Sequence, residues 1–472
     1  MVQKSEQSKG RVEGDRIQRL KGRARIVKEP ARKGKTVVYW MQGAFRVSCN
    51  PSLECAVGEA NRTGLPLLVL VVLDLGYPEA NYRSFKFFLE GLADVREGLA
   101  RRGIALHLRT GKFEEVLSEY AAEAHLLVSD AAYLPAMREV RERVYGDTEA
   151  GVVEVEPNVV VPVRVASKKM EYGAYTIRPK IKRLAPVYGG RVVEREYRGE
   201  MLGDELDFEP SEHEKVLKGR VEYVPPCGAR GGSAEASVLL GDFLRTGYRS
   251  FAALRRDPGA QAETGLSPYL HFGHISPLEV LEGVGGGGAP DVNYGALFEQ
   301  LVVRRELAHN FTLYARGLGS PFDFIPGWAV KTLQEHERDR REYIYSLREL
   351  EGARTHDRYW NAAQTELLRE GKIHNYMRMY WGKKIIEWSE TVEGAYRIMV
   401  YLNNKYALDG RDPNSYAGIG WCFGLHDRPF MERRIFGKVR YMSEGGLERK
   451  FNMESYLRRV NGIGGKSDPE VN

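Results

Sequence analysis

Between Thr36 and about Val165, short β-branched and aliphatic runs alternate with stretches of helical periodicity. Val37-Val38-Tyr39-Trp40, Leu67–Leu73, Ala105–Leu108, Leu126–Val128 and Val152–Val155 read as buried strands. From Arg83 to Arg101, Phe87, Phe88, Leu92, Val95 and Leu99 fall on or near one stripe, as in an amphipathic helix covering a sheet. Strands that alternate with helices predict a Rossmann-like parallel α/β domain over residues 36–165. Residues 166–235 lose both periods and are rich in charge, Gly and Pro. They end in Pro225-Pro226-Cys227-Gly228-Ala229-Arg230-Gly231-Gly232-Ser233, the composition of an interdomain linker. From residue 236 to 460 strand signals almost vanish and helical periodicity takes over, which predicts an all-α second domain.

A chain of 472 residues with 43% hydrophobic content suffices for two or three domain cores. The longest apolar run, Leu67–Leu73, is far shorter than the roughly 20 residues of a membrane span, so no membrane association is expected. Cys49, Cys55, Cys227 and Cys422 show no paired metal spacing, and no secretory leader is recognisable, so a cytoplasmic, reducing setting without a metal site is expected. The net charge of +6 is unevenly spread: residues 1–35 carry 12 Lys and Arg against 4 acids, leaving −2 for everything else. That tail lacks apolar periodicity and is expected to be disordered, as a solvated extension or a weak nucleic-acid arm. Residues 461–472 are expected to be flexible as well. A second excess lies inside the helical half, where residues 411–459 hold ten Lys and Arg against six acids. Trp421, Phe423, Phe430, Phe436 and Tyr441 are interleaved with those charges. This suits phosphate contact combined with stacking or wedging, although ordinary surfaces also mix basic and aromatic residues. Gly283-Val284-Gly285-Gly286-Gly287-Gly288 satisfies GxGxxG but lacks the strand-turn-helix setting, so it reads as a turn.

Five of the six tryptophans, Trp328, Trp360, Trp381, Trp388 and Trp421, fall in the last 145 residues. Trp381 and Trp388 are seven apart, about 10.5 Å along a helix and near one face. Tryptophans at helical spacing usually pack in cores, but indoles are also the side chains most easily oxidised by one electron. Three further clusters suggest a single ligand. Thr264-Gly265-Leu266-Ser267-Pro268 precedes a Pro-started helix, whose free N–H groups would favour an anion. Arg378 stands beside Trp381, and Asn403, Asp409, Gly410, Arg411, Asp412, Pro413 and Asn414 form a turn-rich group whose acid could pair with Arg378.

Taken together, Ser267-Pro268-Tyr269-Leu270-His271-Phe272-Gly273, Thr355-His356-Asp357, Trp360-Asn361-Ala362, Met377-Arg378-Met379-Tyr380-Trp381, Leu408-Asp409-Gly410-Arg411-Asp412-Pro413-Asn414 and Arg440-Tyr441-Met442 closely resemble the class II cyclobutane pyrimidine dimer photolyases. The resemblance runs from Val37 to near residue 460. It implies a helical FAD-binding domain and light-driven electron transfer from reduced FAD to a pyrimidine dimer in double-stranded DNA, performed by a monomer. It also implies roles: Tyr248, Thr264, Gly265, Leu266 and Ser267 at the phosphate and sugar, with Gly410 and Asn414 also at the cofactor. Arg378 and Asp409 would form a charge pair beside the flavin, and Asn403 would face flavin N5. Trp381, Trp360 and Trp388 would be an electron path from solvent. Met379 and Trp421 would pack on the flipped lesion, and Arg428, Phe430 and Arg440 would enter the space it vacates. Trp40 and Trp328 are left to packing.

Two departures stand out. Gln300 occupies a position where the family usually presents a glutamate to the damaged bases, and Arg304 replaces a tryptophan found in some relatives. Near the first strand, Gln42-Gly43-Ala44-Phe45-Arg46 departs from the family pattern while Arg46 and Asn50 persist, which leaves a deazaflavin-type antenna open. The alternative function is a cryptochrome-like flavin photoreceptor without repair activity. A DNA-binding protein without photochemistry is a third.

Overall fold

A computed structural model describes residues 22–285 and 291–462. The extreme N- and C-terminal segments and Gly286–Gly288 of the glycine turn lie outside the described residues.

Seven strands form one sheet in the order β1-β6-β5-β2-β3-β4-β7. They are β1 (Ala24–Lys28), β2 (Thr36–Trp40), β3 (Leu67–Leu73), β4 (Ala105–Thr110), β5 (Ala124–Asp130), β6 (Gly151–Val155) and β7 (Glu205–Leu206). All pairings are parallel except β1 with β6. Helices cover both faces, which is why all seven residues of β3 are buried and apolar. The alternation of β2 is visible in its packing: Val37 and Tyr39 enter one core, Val38 and Trp40 the other. Trp40 has the Arg141 guanidinium 4.3 Å from its ring centroid and is a packing residue. Because β2 is central and the chain winds outward on both sides of it, the sheet has a switch point between β2 and β5. There Asp130 Oδ2 accepts from the Gln42, Gly43 and Ala44 N–H groups at 2.9–3.1 Å, folding that loop over the strand ends.

Two sequence expectations are corrected. Residues 24–28, assigned to the basic tail, form the edge strand β1. Arg25 faces Glu154 in register and bonds it at 3.1 Å, while the buried Arg23 donates to the carbonyls of Val159, Val160 and Tyr188. Arg23 and Arg25 are thus partnered across the chain, which local composition cannot reveal. The linker likewise contains a 15-residue helix, Ala174–Tyr188, whose Ile177 and Ile181 are buried despite Pro179 and Pro186 within it.

The two domains are joined by polar groups. Arg83, on the helix Tyr82–Arg101, donates to the carbonyls of Pro225, Leu367, Leu368 and Tyr406 at 2.6–3.3 Å. Of these, the Leu368 and Tyr406 carbonyls lie in the last turns of the helices Arg358–Glu370 and Val392–Tyr406, where intrahelical donors run out, whereas Leu367 O also takes the Gly371 N–H. Glu306 accepts from the Val160 and Val161 N–H groups, and Arg46 donates to Gly273 O at 2.8 Å. Removing a charged donor from several buried acceptors costs about 3 kcal/mol. Arg83→Met should therefore lower the unfolding free energy by about that amount, read from urea denaturation at neutral pH. A change within about 0.5 kcal/mol would show that the clamp does not hold the domains.

Candidate functional site

The helical domain is built around a core that includes Trp360, Trp381 and Trp388 and encloses a cavity of about 1300 Å³. On one wall the turn Thr264–Ser267 is shaped by Gly265 at φ 68° and by Thr264 Oγ1, which accepts from Leu266 N–H at 3.2 Å. The helix that follows, Ser267–His271, has only five residues. The expected anion site at its N-terminus therefore has little helix behind it. Arg255 and Arg256, which the sequence reading missed, also line the cavity together with Arg304. Burial first, then the charges of Arg256 and Arg304, push the Arg255 guanidinium below its ordinary range. Glu299 answers part of that charge, lying 3.3 Å from Arg304, and the positive charge that remains in the recess suits an anion. The adjacent Arg-Arg pair was the available signal, but nothing local to it indicates a cavity.

The facing wall is a turn. Arg378, on the helix Asn375–Trp388, donates to both carboxylate oxygens of Asp409 at 3.0 and 3.2 Å. Gly410 is required next: a Cβ there would lie 2.9 Å from Ala407 O and 3.0 Å from Asn403 O. Arg411 takes a left-handed φ of 58° and reaches the Glu79 carbonyl in the α/β domain at 3.1 Å. Asp412 caps the helix Pro413–Cys422 through Asn414 N–H at 2.8 Å, and Asn414 Nδ2 donates to the same oxygen at 2.8 Å. The other oxygen of Asp412 takes a hydrogen bond from His271 Nδ1 at 3.0 Å. Burial pushes the Asp412 carboxyl up, but His271, His309 and Arg305 outweigh it and hold the group below the usual carboxylate range.

At the mouth, Trp421 lies under two cations, with Lys383 Nζ 5.1 Å and Arg440 Cζ 5.4 Å from its ring centroid. Lys383 is buried, donates to Cys422 O at 2.6 Å, and is pushed down to about 8 by that burial. Arg440 is held in a fork by Asp427 at 2.8 and 3.0 Å and stacks 4.2 Å from the Phe430 centroid, with Arg428 5.7 Å from the same ring. Gln300 and Arg304 fall in the π-helical turn Glu299–Arg304, and both face the cavity.

The sequence-predicted residues Thr264, Gly265, Leu266, Ser267, Gln300 and Arg378 are thus brought together. Met379, Asp409, Asn414, Trp421, Phe430 and Arg440 join them on the same cavity. Others stand off it. Tyr248 donates to Asp291 at 2.9 Å, Asn403 is buried with its amide on Asn404, and Gly410 lies behind Asp409. Arg428 touches the cavity only through Phe430. Trp381 and Trp388, expected near one face of a helix, are connected through a third indole. Trp360 intervenes, parallel to Trp381 at 6.5 Å and edge-on to Trp388 at 5.6 Å. Trp328 packs on the core and donates to Tyr172.

A smaller cavity of about 190 Å³ opens at the sheet's switch point and shares His271, Arg305 and Asp412 with the larger one. Arg46 and Asn50 do not line it. Arg46 donates to four protein acceptors, and Asn50 caps the helix Pro51–Thr63.

The DNA photolyase family profile matches residues 37–194. A deoxyribodipyrimidine photo-lyase of Methanothermobacter thermautotrophicus is 44% identical over 456 residues, covering 96% of this chain and 99% of that protein. The chain belongs to the DNA photolyase family. Another photolyase relative, a deoxyribodipyrimidine photo-lyase of Arabidopsis thaliana, is 37% identical over 90% of this chain and 89% of its own length. Among solved folds, a Sulfolobus tokodaii photolyase determined with two FAD molecules superposes with a TM-score of 0.65 at 16% identity, covering 93% of this chain and 96% of that one.

A test of this photolyase wall is its pH signature. A carboxyl whose folded pKa is depressed contributes stability that is present above its unfolded pKa, near 4, and is lost as pH falls toward the folded value. Asp412→Asn should cost about 2 kcal/mol at pH 7, with the gap to wild type shrinking below about pH 4. A gap independent of pH in denaturation curves would mean that the charge of Asp412 contributes nothing.

Proposed function

We propose that this photolyase repairs cyclobutane pyrimidine dimers in double-stranded DNA, using light to pass one electron from bound, reduced FAD to a flipped-out lesion. One observation carries the reading: a single cavity is lined by an arginine-rich recess, a partly buried Arg–Asp pair and a cation-flanked aromatic mouth. The relatives' names and the solved relative that holds FAD support it, and the motifs resembling class II enzymes narrow it.

The cavity volume and donor set fit FAD. Arg255 and Arg256, with the Thr264–Ser267 turn, would hold the diphosphate, and the Arg378–Asp409 pair with Asn414 would flank the ring system. When bound, the flavin supplies light absorption and the transferable electron. Arg378 offers positive charge where the reduced ring carries negative charge, and Asp409 fixes the guanidinium in orientation. Asn403 would have to release Asn404 to present its amide to N5. At the mouth, Trp421 and Met379 would receive the extruded bases. Arg428, Phe430 and Arg440 would fill the gap left in the duplex, offsetting the few kcal/mol of lost stacking. Gln300 would hydrogen-bond the lesion without supplying a titrating proton. Surrounding cations would hold phosphates without reading sequence. A second chromophore at the switch point would be contacted by Gln42, His271 and Arg411 rather than by Arg46 and Asn50.

Purified protein incubated with dimer-containing duplex should lose dimers under blue light and not in the dark. Unchanged dimers despite normal flavin photoreduction would leave the photoreceptor function instead. Trp381→Phe should cut photoreduction of oxidised enzyme at least about tenfold while chemically reduced enzyme repairs at the wild-type rate. Equal losses in both assays would remove Trp381 from the electron path.

A further inference from the structure

Between the helices Pro413–Cys422 and Glu444–Glu448 the chain forms no helix, and Phe430 and Arg440 sit at the base of a hairpin. The hairpin is closed by Phe430 N–H on Lys438 O at 2.8 Å and by paired backbone bonds between Arg433 and Gly437. At its tip Ile435 takes a left-handed φ of 70°, which a β-branched residue keeps only when its surroundings hold it. The hold comes from the helix Gly327–Glu335 and the turn after it. Asp339 Oδ2 accepts from Ile435 N–H at 2.8 Å, and Thr332 Oγ1 accepts from Lys438 N–H at 3.0 Å. Gly437 lies so close that a Cβ there would meet His336 Cδ2 at 2.8 Å.

His336 stands at the centre of this hold. Its Nδ1 meets Asp339 Oδ2 at 2.6 Å, and its Nε2 meets Glu432 Oε1, on the hairpin, at 3.0 Å. Both partners are carboxylates, which accept and cannot donate, whereas a neutral imidazole carries a single N–H. The two bonds therefore coexist only with the imidazolium. Other charges nearby are already engaged. Lys438 Nζ lies 3.9 Å from the second oxygen of Glu432, and the Arg434 charge favours ionised Asp339. Arg341 donates to the backbone carbonyls of Glu337 and Asp339, and the Glu337 carboxylate accepts from Val392 N–H at 3.1 Å. The bond to Asp339, reduced by burial and reinforced by Glu432, holds the imidazole above its ordinary range.

We propose that His336 is a positioning residue for the DNA contact: its imidazolium locks the hairpin Phe430–Lys438 and neutralises Glu432, and loss of its proton frees Glu432 and weakens the grip on duplex DNA. The inference rests on the reading that Phe430 and Arg440 engage DNA. The proton given up is the one on Nε2, and it passes to water. The Nδ1 proton stays, because Asp339 is the nearer carboxylate and is fixed by Ile435 N–H. Glu432 Oε1 then faces a lone pair and turns away. The freed carboxylate shares the hairpin with Arg433, Arg434 and Lys438, all exposed, and a negative charge among them opposes their contact with phosphates. Because the imidazole is held above its ordinary range, the lock is complete below about pH 6.5 and is lost as pH rises through the folded value.

Fluorescence anisotropy of the full-length holoenzyme, in the dark and at constant ionic strength, with a duplex carrying one pyrimidine dimer tests this. The wild-type Kd should rise about fivefold between pH 6 and pH 9. His336→Gln, matched in fold by its melting curve, should bind at the weaker, high-pH level throughout. Glu432→Gln removes the charge that His336 releases, so it should flatten the pH step and bind more tightly than wild type at pH 9. A purely structural role for either side chain would lower affinity alike at every pH. A wild-type Kd independent of pH, His336→Gln with the full wild-type step, or Glu432→Gln no tighter than wild type at pH 9 would each overturn the lock while leaving the repair reading standing. No preference for the dimer duplex over an undamaged one at any pH would overturn the repair reading, and the lock with it.

Discussion

The site depends on a turn of four residues, Asp409 to Asp412, that must satisfy four neighbours at once. Asp409 pairs with Arg378 from the helix Asn375–Trp388, and Gly410 fits under the end of the helix Val392–Tyr406. Arg411 reaches across to the α/β domain, and Asp412 joins His271 and starts the next helix. Each contact uses a different property: charge, absence of a side chain, reach, and hydrogen-bond acceptance. The left-handed Arg411 costs backbone strain of order 1–3 kcal/mol, and the two hydrogen bonds of its guanidinium to the carbonyls of Glu79 and Asn404 offset it. The turn therefore couples the cavity wall to the docking of the two domains.

Charge is arranged unequally around that wall. Where the structure must be rigid, as in the Arg83 clamp or the Asp412–His271 pair, each buried charge has its partners within the chain. Around the cavity the balance shifts. Arg255, Arg256 and Arg304 crowd one another, and Trp421 lies beneath Lys383 and Arg440. Arg304 and Arg440 also carry carboxylate partners, Glu299 and Asp427, yet the wall keeps an excess of positive charge beside aromatic faces, a surface that suits a ligand both anionic and planar. The same cations make Trp421 a poor place for a positive hole. Trp381, Trp360 and Trp388 instead form a separate row behind the cavity, in contact with one another through Trp360.

Much of this was legible in order along the chain. The apolar runs became β2 to β6 because parallel strands buried on both faces must be continuously apolar, and the helical half followed from its period. The motif residues from Thr264 to Ser267, and Arg378, Asp409 and Trp421, do converge on one cavity. What escaped was held by partners far away in sequence. β1 and its arginines looked disordered because their partners, Glu154, Val159 and Val160, lie some 130 residues on. Arg255 and Arg256 resembled any surface pair.

Periodicity, and motifs whose members are local, already carry the two-domain pattern, the family and most of the residue types around the cavity. Which of those residues face a common space is fixed by packing between elements distant in the chain. That packing set Asn403 and Tyr248 back from the wall and placed Trp360 between Trp381 and Trp388. Spacing along a helix fixes an angle about one axis. Contact between rings depends on how several axes pack, and that packing is a property of the whole chain.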